Sequence, residues 1–212
     1  KRSAQGISMN TGLAEIRDRA RQYLDSSVAP NPIRGVASER TVLAEYAQYL
    51  RSLVSLESIR PLRVVVDAAN GMAGLTVPGV LGNALGGESL PLEITEMYFE
   101  LDGSFPNHEA NPLEPKNLVD LQQAVIEQGA DIGLAFDGDA DRCFVIDEKG
   151  QAVTPSAVAA LVAKREIVRV KASGEEGPIR VIHNLICSKT VPEIIQENGG
   201  EPVRTQVGHS FI

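Results

Sequence analysis

Arg63-Val64-Val65-Val66-Asp67 is β-branched and nearly all apolar, the pattern of a strand covered on both faces rather than wetted on one. Such a strand needs helical layers above and below it, and its neighbours can supply them. Upstream, Leu43, Tyr46, Ala47, Leu50, Leu53 and Val54 form an apolar stripe at helical spacing. Downstream, Ala68 to Gly74 reads as a Gly-containing turn, and Thr76 with Pro78 opens a helix expected to end near Gly86-Gly87. Further strands are predicted over 93–99, 131–136, 142–147, 179–184 and 201–207. Helices are predicted over 10–26 (Asn10 or Thr11 as cap), from Leu118 to a stop at Gly129, over 156–167 and over 188–198. Residues 26–33 read as a linker, and Leu101 to Pro115 as a long loop rich in Asn, Pro and Gly. This alternation predicts an α/β fold of mixed, largely parallel sheets with flanking helices. The pattern runs twice with a break near Gly150, so two domains are expected, the second incomplete.

Composition narrows the function. A formal charge of -8 with scattered Lys and Arg argues against nucleic acid and anionic membrane as partners. No apolar run approaches the ~18 residues of a membrane helix, and Lys1 to Gly6 lacks the apolar stretch of a signal peptide. Cys143 and Cys187 have no CxxC spacing and read as two small core residues, which makes a reducing cytoplasm the simplest compartment. Lys1 is not a start methionine and the chain stops at Ile212 after a predicted strand and turn, so an excerpt of a longer protein is expected.

The chemistry concentrates in Asp137-Gly138-Asp139-Ala140-Asp141-Arg142, between two predicted strands. Carboxylates at alternate positions repel one another unless a cation sits among them. Oxygen-only donors suit a hard divalent ion, and open positions for phosphate or water suit Mg²⁺. Arg142 adds a guanidinium where a phosphate would approach. Three other readings compete. The loop is also compatible with a solvated acidic turn. An EF-hand loop fits Asp at positions one, three and five with Glu148 at twelve, but it needs Gly where Arg142 stands, and helical flanks. An aspartyl-phosphate loop of the DxDx[TV] type fails at Asp141.

The loop is identical to the metal loop of the α-D-phosphohexomutase superfamily. Val64 to Gly74 resembles that family's second-domain strand and turn. Phe105-Pro106-Asn107-His108 with Asn111-Pro112 and Glu114 to Leu118 resembles its following loop. Val207-Gly208-His209-Ser210-Phe211-Ile212 resembles a third-domain motif of the phosphomannomutase/phosphoglucomutase branch. The resemblance implies residues 1–35 as the tail of a first domain and linker. It makes 36–148 a second domain with the metal loop and 149–212 part of a third, sugar-phosphate-binding domain. It implies Mg²⁺ held by Asp137, Asp139 and Asp141, with Arg142 orienting phosphate and His209 near the reacting group. The implied activity is an isomerase moving phosphate between the 1- and 6-positions of a hexose phosphate, through a phosphoserine and a hexose bisphosphate. The rival activity is phosphoglucosamine mutase, and a non-catalytic Mg²⁺-binding fragment is a third possibility. Departures accompany the match: the T-A-S-H-N-P serine motif and the G-E-x-S-G sugar loop are absent, and Lys189 is shifted from the place of a family lysine. His108 reads as a loop-shaping residue, His183 as a strand histidine, and Asn70-Gly71 as a tight turn.

Overall fold

The unbroken apolar run is explained by the strand it forms, β1 (Leu62–Asp67). A computed structural model describes residues 6–26, 33, 35–174 and 176–208. Val65 packs into one core with Leu121, Val125, Ala135 and Ile146, while Val64 and Val66 enter another with Ala68, Ala73 and Val77. Successive side chains of a strand point to opposite faces, so the apolar run Val64–Val66 feeds both layers. The helices over these faces are α3 (Ala73–Val80) and α4 (Val119–Gln128), which Gly129 ends with a left-handed φ of 55°. An α2 helix (Leu43–Leu53) packs against α3 through buried Ala47.

The sheet has strand order β2-β1-β3-β4-β5, with β2 (Leu92–Met97), β3 (Ile132–Phe136), β4 (Cys143–Ile146) and β5 (Ala152–Val153). β1 runs parallel to both neighbours, whereas β3–β4 and β4–β5 are antiparallel. The sheet is therefore mixed, and the carboxyl ends of β1, β2 and β3 share one edge. Gly133 on β3 marks close packing of α4 on the sheet: a Cβ there would stand 2.7 Å from Val125 Cγ2 and 3.1 Å from both Ile146 Cβ and Leu121 Cδ1. Gly133→Ala should push α4 off the sheet and cost about 1–3 kcal/mol, read as a lower denaturant midpoint at unchanged slope.

Close contacts divide the chain into two units, Arg40–Val158 and Lys1–Glu39 with Ala159–Ile212. The division falls within α5 (Pro155–Ser173). In the second unit, β6 (Arg180–Asn184) and β7 (Glu201–Thr205) pair in parallel, joined by α6 (Thr190–Glu197). Ala160, Ala163, Ile167, Val191 and Ile195 form its core. The α1 helix (Leu13–Asp25) buries none of its residues.

Several expectations shift. Neither Asn10 nor Thr11 caps α1: a 3-10 turn, Met9–Thr11, precedes it and Gly12 occupies the cap. Residues 27–32 of the expected linker lie outside the described residues. The α3 helix begins before Pro78, because buried Ala73 and Val77 anchor its first turns in the core. It stops well short of Gly86. Arg51 takes its terminal carbonyls instead, donating from Nε to Val80 O at 2.7 Å and from Nη2 to Gly82 O. The α5 helix outruns its predicted end to Gly174, whose φ of 75° releases the chain. Cys143 is exposed rather than a core residue, whereas Cys187 is half-buried against the Ala160, Ala163, Ile167, Val191 and Ile195 core. His183 sits half-buried on β6, opposite Arg204.

Candidate metal centre

Ligands of open parallel sheets sit beyond the carboxyl ends of the strands, and the unusual chemistry of this chain gathers there. Asp67, Asn70, Asn117 and Asp137 are the buried polar or charged residues among those described. Five non-glycine residues with left-handed backbone follow the same strand ends: Ala69 (φ 47°), Asn70 (57°), Tyr98 (56°), Phe105 (51°) and Ala140 (59°). Backbone in that region costs free energy for a residue with a Cβ and collects at functional sites.

The acidic loop connects β3 to β4. Asp137, Asp139 and Asp141 each offer a carboxylate oxygen, and these atoms lie within 4.8 Å of one another. Asp137 is buried, and Asp139 and Asp141 face solvent. Ala140 N–H donates to Asp137 O at 3.0 Å, and the left-handed Ala140 turns the loop so that the alternate carboxylates converge. Arg142 holds Asp137 twice, by its backbone N–H on Oδ1 at 3.0 Å and by Nε on Oδ2 at 2.6 Å. Arg142 Nε also lies 3.5 Å from Asp141. Burial alone would push the Asp137 carboxyl up. The hydrogen bonds and charge of Arg142 outweigh it and hold the group below the usual carboxylate range. In turn, the bond to Asp137 raises the Arg142 guanidinium.

This donor set fits a hard divalent cation: three carboxylates, no softer ligand, and two of them open to water. The flanks β3 and β4 are antiparallel strands, which excludes the helix-flanked calcium loop. The structure thus brings Asp137, Asp139, Asp141 and Arg142 together. His209 lies outside the described residues.

Asp67 was not singled out from sequence, although a carboxylate ending an all-apolar buried strand is itself a signal. It is 1 % exposed; Oδ1 accepts from Ala69 N–H at 2.8 Å and Oδ2 meets His108 Nε2 at 2.9 Å. Burial raises its carboxyl above the ordinary value, partly offset by the Ala69 N–H and by His108. Asn70-Gly71 does form a tight turn, with Gly71 N–H on Ala68 O at 2.7 Å.

A doubly covered mixed sheet with a carboxylate triad at its strand ends defines an α/β protein with a candidate divalent-cation centre. Residues 44–150 match phosphoglucomutase/phosphomannomutase, alpha/beta/alpha domain II, and residues 154–212 match alpha/beta/alpha domain III. The chain belongs to the phosphoglucomutase/phosphomannomutase family. It is 34 % identical over 214 residues to a phosphomannomutase of Vibrio cholerae, matching 100 % of this chain and 44 % of that protein. It is 36 % identical over 212 residues to a protein of Xanthomonas campestris pv. campestris named phosphohexose mutases, again matching 100 % and 44 %. The chain therefore spans less than half the length of these curated relatives. A phosphoglucomutase/phosphomannomutase family protein from Burkholderia thailandensis superposes with a TM-score of 0.77 at 30 % identity, over 93 % of this chain and 40 % of that one. A second solved structure, from Thermus thermophilus, shares the fold at 17 % identity with a TM-score of 0.71, over 96 % of this chain and 43 % of that one. Among the described residues, no helix is long and apolar enough to cross a membrane.

Proposed function

We propose that this chain is the cation-holding part of a phosphohexomutase, an isomerase that moves phosphate between the 1- and 6-positions of mannose and/or glucose phosphate. The observation that carries the reading is the convergence of three carboxylates within 4.8 Å, with a guanidinium at their edge, at the carboxyl ends of parallel strands. Asp137, Asp139 and Asp141 would hold Mg²⁺, which supplies neutralisation of charge on a transferring phosphoryl group. Arg142 fixes Asp137 through its backbone N–H and Nε, and its side chain, 46 % exposed, presents further guanidinium donors outward, suited to a phosphate or substrate oxygen. The nucleophile in this reading is a phosphoserine supplied by another domain, forming a hexose bisphosphate before phosphate returns to the serine. Without it the 212 residues alone should not turn over substrate. Residues 1–35 would be the tail of that first domain, 36–148 the second domain, and 149–212 part of the third, where His209 would stand near the reacting group. The family matches over 44–150 and 154–212 support this division. A cytoplasmic enzyme is the simplest setting.

The test is Mg²⁺-dependent conversion of mannose 1-phosphate or glucose 1-phosphate to the 6-phosphate by the full-length protein. Asp139→Asn, at an exposed ligand position, should leave folding intact and lower kcat about a hundredfold or more. No Mg²⁺-dependent conversion, together with an indifferent Asp139→Asn, would sink the reading.

A further inference from the structure

The acidic loop is gripped through Gly138, the spacer between Asp137 and Asp139, by residues that carry no ligand. On one side the turn after β1 closes on it. Met72 N–H donates to Gly138 O at 2.9 Å, and a Cβ on Gly71 would stand 2.6 Å from the same oxygen. On the other side, a Cβ on Gly138 would lie 3.4 Å from the Phe105 ring and 3.5 Å from Ala110 Cβ. Phe105 and Ala110 belong to the loop over 101–114, which leaves room for a methyl beside Gly138 and acts on it through the turn after β1, whose Met72 N–H holds Gly138 O.

Two side-chain ties seat it on the turn after β1. Asn107 Nδ2 donates to Asn70 Oδ1 at 2.8 Å, and His108 Nε2 lies 2.9 Å from Asp67 Oδ2. The Tyr98 ring packs edge-on against His108, with centroids 5.4 Å apart. His108 Nδ1 is 3.0 Å from Glu109 O, a carbonyl that can only accept, so Nδ1 carries a hydrogen. Nε2 therefore meets Asp67 with a proton between them, held on the ring or on the carboxyl. The contact ties the loop to the innermost strand.

We infer that His108 is a positioning residue for the cation site: docked on Asp67, it ties the 101–114 loop to the turn that holds Gly138 O and so sets the spacing of Asp137 and Asp139. The inference rests on the reading of the carboxylate triad as a cation centre. It makes a shape-specific prediction. Glutamine places its amide nitrogen near the ring Nε2 position and can donate to Asp67. Asparagine reaches only as far as Nδ1, serving Glu109 O but not Asp67.

The experiment titrates the full-length protein with Mn²⁺, following the free ion by its paramagnetic resonance signal, with thermal melts on the same samples. Its variants are His108→Gln, His108→Asn, Asp139→Asn, and Val125→Ala as a core-destabilised control remote from the loop. His108→Asn should weaken Mn²⁺ binding about tenfold or more, as losses of groups that orient ligands do. His108→Gln should stay within about threefold of the parent, and Val125→Ala should lower the melting temperature without moving the affinity. Parental affinity in His108→Asn overturns the inference, as do equal losses in Asn and Gln variants, or a loss in Val125→Ala matching that of His108→Asn. An unaltered Asp139→Asn brings down the cation reading itself, and this inference with it. A weakened Asp139→Asn beside an intact His108→Asn removes only the role of His108.

Discussion

Asp137→Ala is expected to lower Mn²⁺ or Mg²⁺ affinity at least about a hundredfold while the protein stays folded, its melting temperature falling by only about 5–10 °C. The two effects separate because of where the groups sit. Asp137 is 1 % exposed and held by both an N–H and a guanidinium, so of the three carboxylates in the proposed site it is the buried one fixed at both oxygens. Asp139 and Asp141 face solvent. Removing a partner from a buried pair is severe when a charge is stranded inside. Here the stranded group would be Arg142, whose side chain is 46 % exposed and can turn to water. What remains is a lost bond to one backbone N–H and a small void, about 1–3 kcal/mol. The acid limb of the stability profile gives a second reading of the same variant. The folded Asp137 carboxyl is held below its ordinary value by Arg142. Its stabilisation is complete above the unfolded value, about pH 4, and is lost as pH falls through the depressed folded value. Asp137→Ala should flatten that limb. Calorimetric or resonance titration showing parental cation affinity in this variant would remove Asp137 from the site.

How much of this could be read beforehand depends on the range of the interaction. β1 was legible because a β-branched apolar run suits a strand covered on both faces, and the strand-loop-strand setting of the three carboxylates because apolar runs flank them on both sides. The ends of α3 and α5 were not, since the first depends on Arg51 reaching carbonyls some thirty residues away and the second lies beyond the last buried residue of its helix, Ile167. β5 is two residues long and has no periodicity to detect. The Asp67–His108 tie joins residues 41 positions apart, and neither neighbourhood announces the other. Ala69, Tyr98, Phe105 and Ala140 take left-handed backbone where sequence rules look for Gly or Asn, so the strained ring around the site was invisible. Only Asn70, of those five, is a residue type for which that conformation is ordinary.

Gly71 shows how a correctly placed turn can still hide its reason. Its φ is not in the left-handed region, so conformational freedom is not what excludes other residues. Space is. A Cβ at Gly71 would lie 2.6 Å from Gly138 O, 2.9 Å from Gly138 Cα and 3.1 Å from Gly138 C. All three are backbone atoms, so no side chain can rotate away. Gly71→Ala must therefore move the acidic loop, break the Met72 N–H to Gly138 O bond, or lift the turn off β1. The expected cost is at the upper end of the overpacking range, about 2–3 kcal/mol, together with a loss of cation affinity of about tenfold or more as Asp137 and Asp139 part. Gly103→Ala is the matched control, because a Cβ there meets nothing within 4 Å and its backbone is not left-handed. It should leave both the melting temperature and the Mn²⁺ titration where they are. If Gly71→Ala destabilises the fold but binds Mn²⁺ as the parent does, the turn and the triad are mechanically independent. A fall in affinity larger than the one Gly103→Ala produces, in the fraction that remains folded, shows that the β1 turn sets the geometry of the carboxylates.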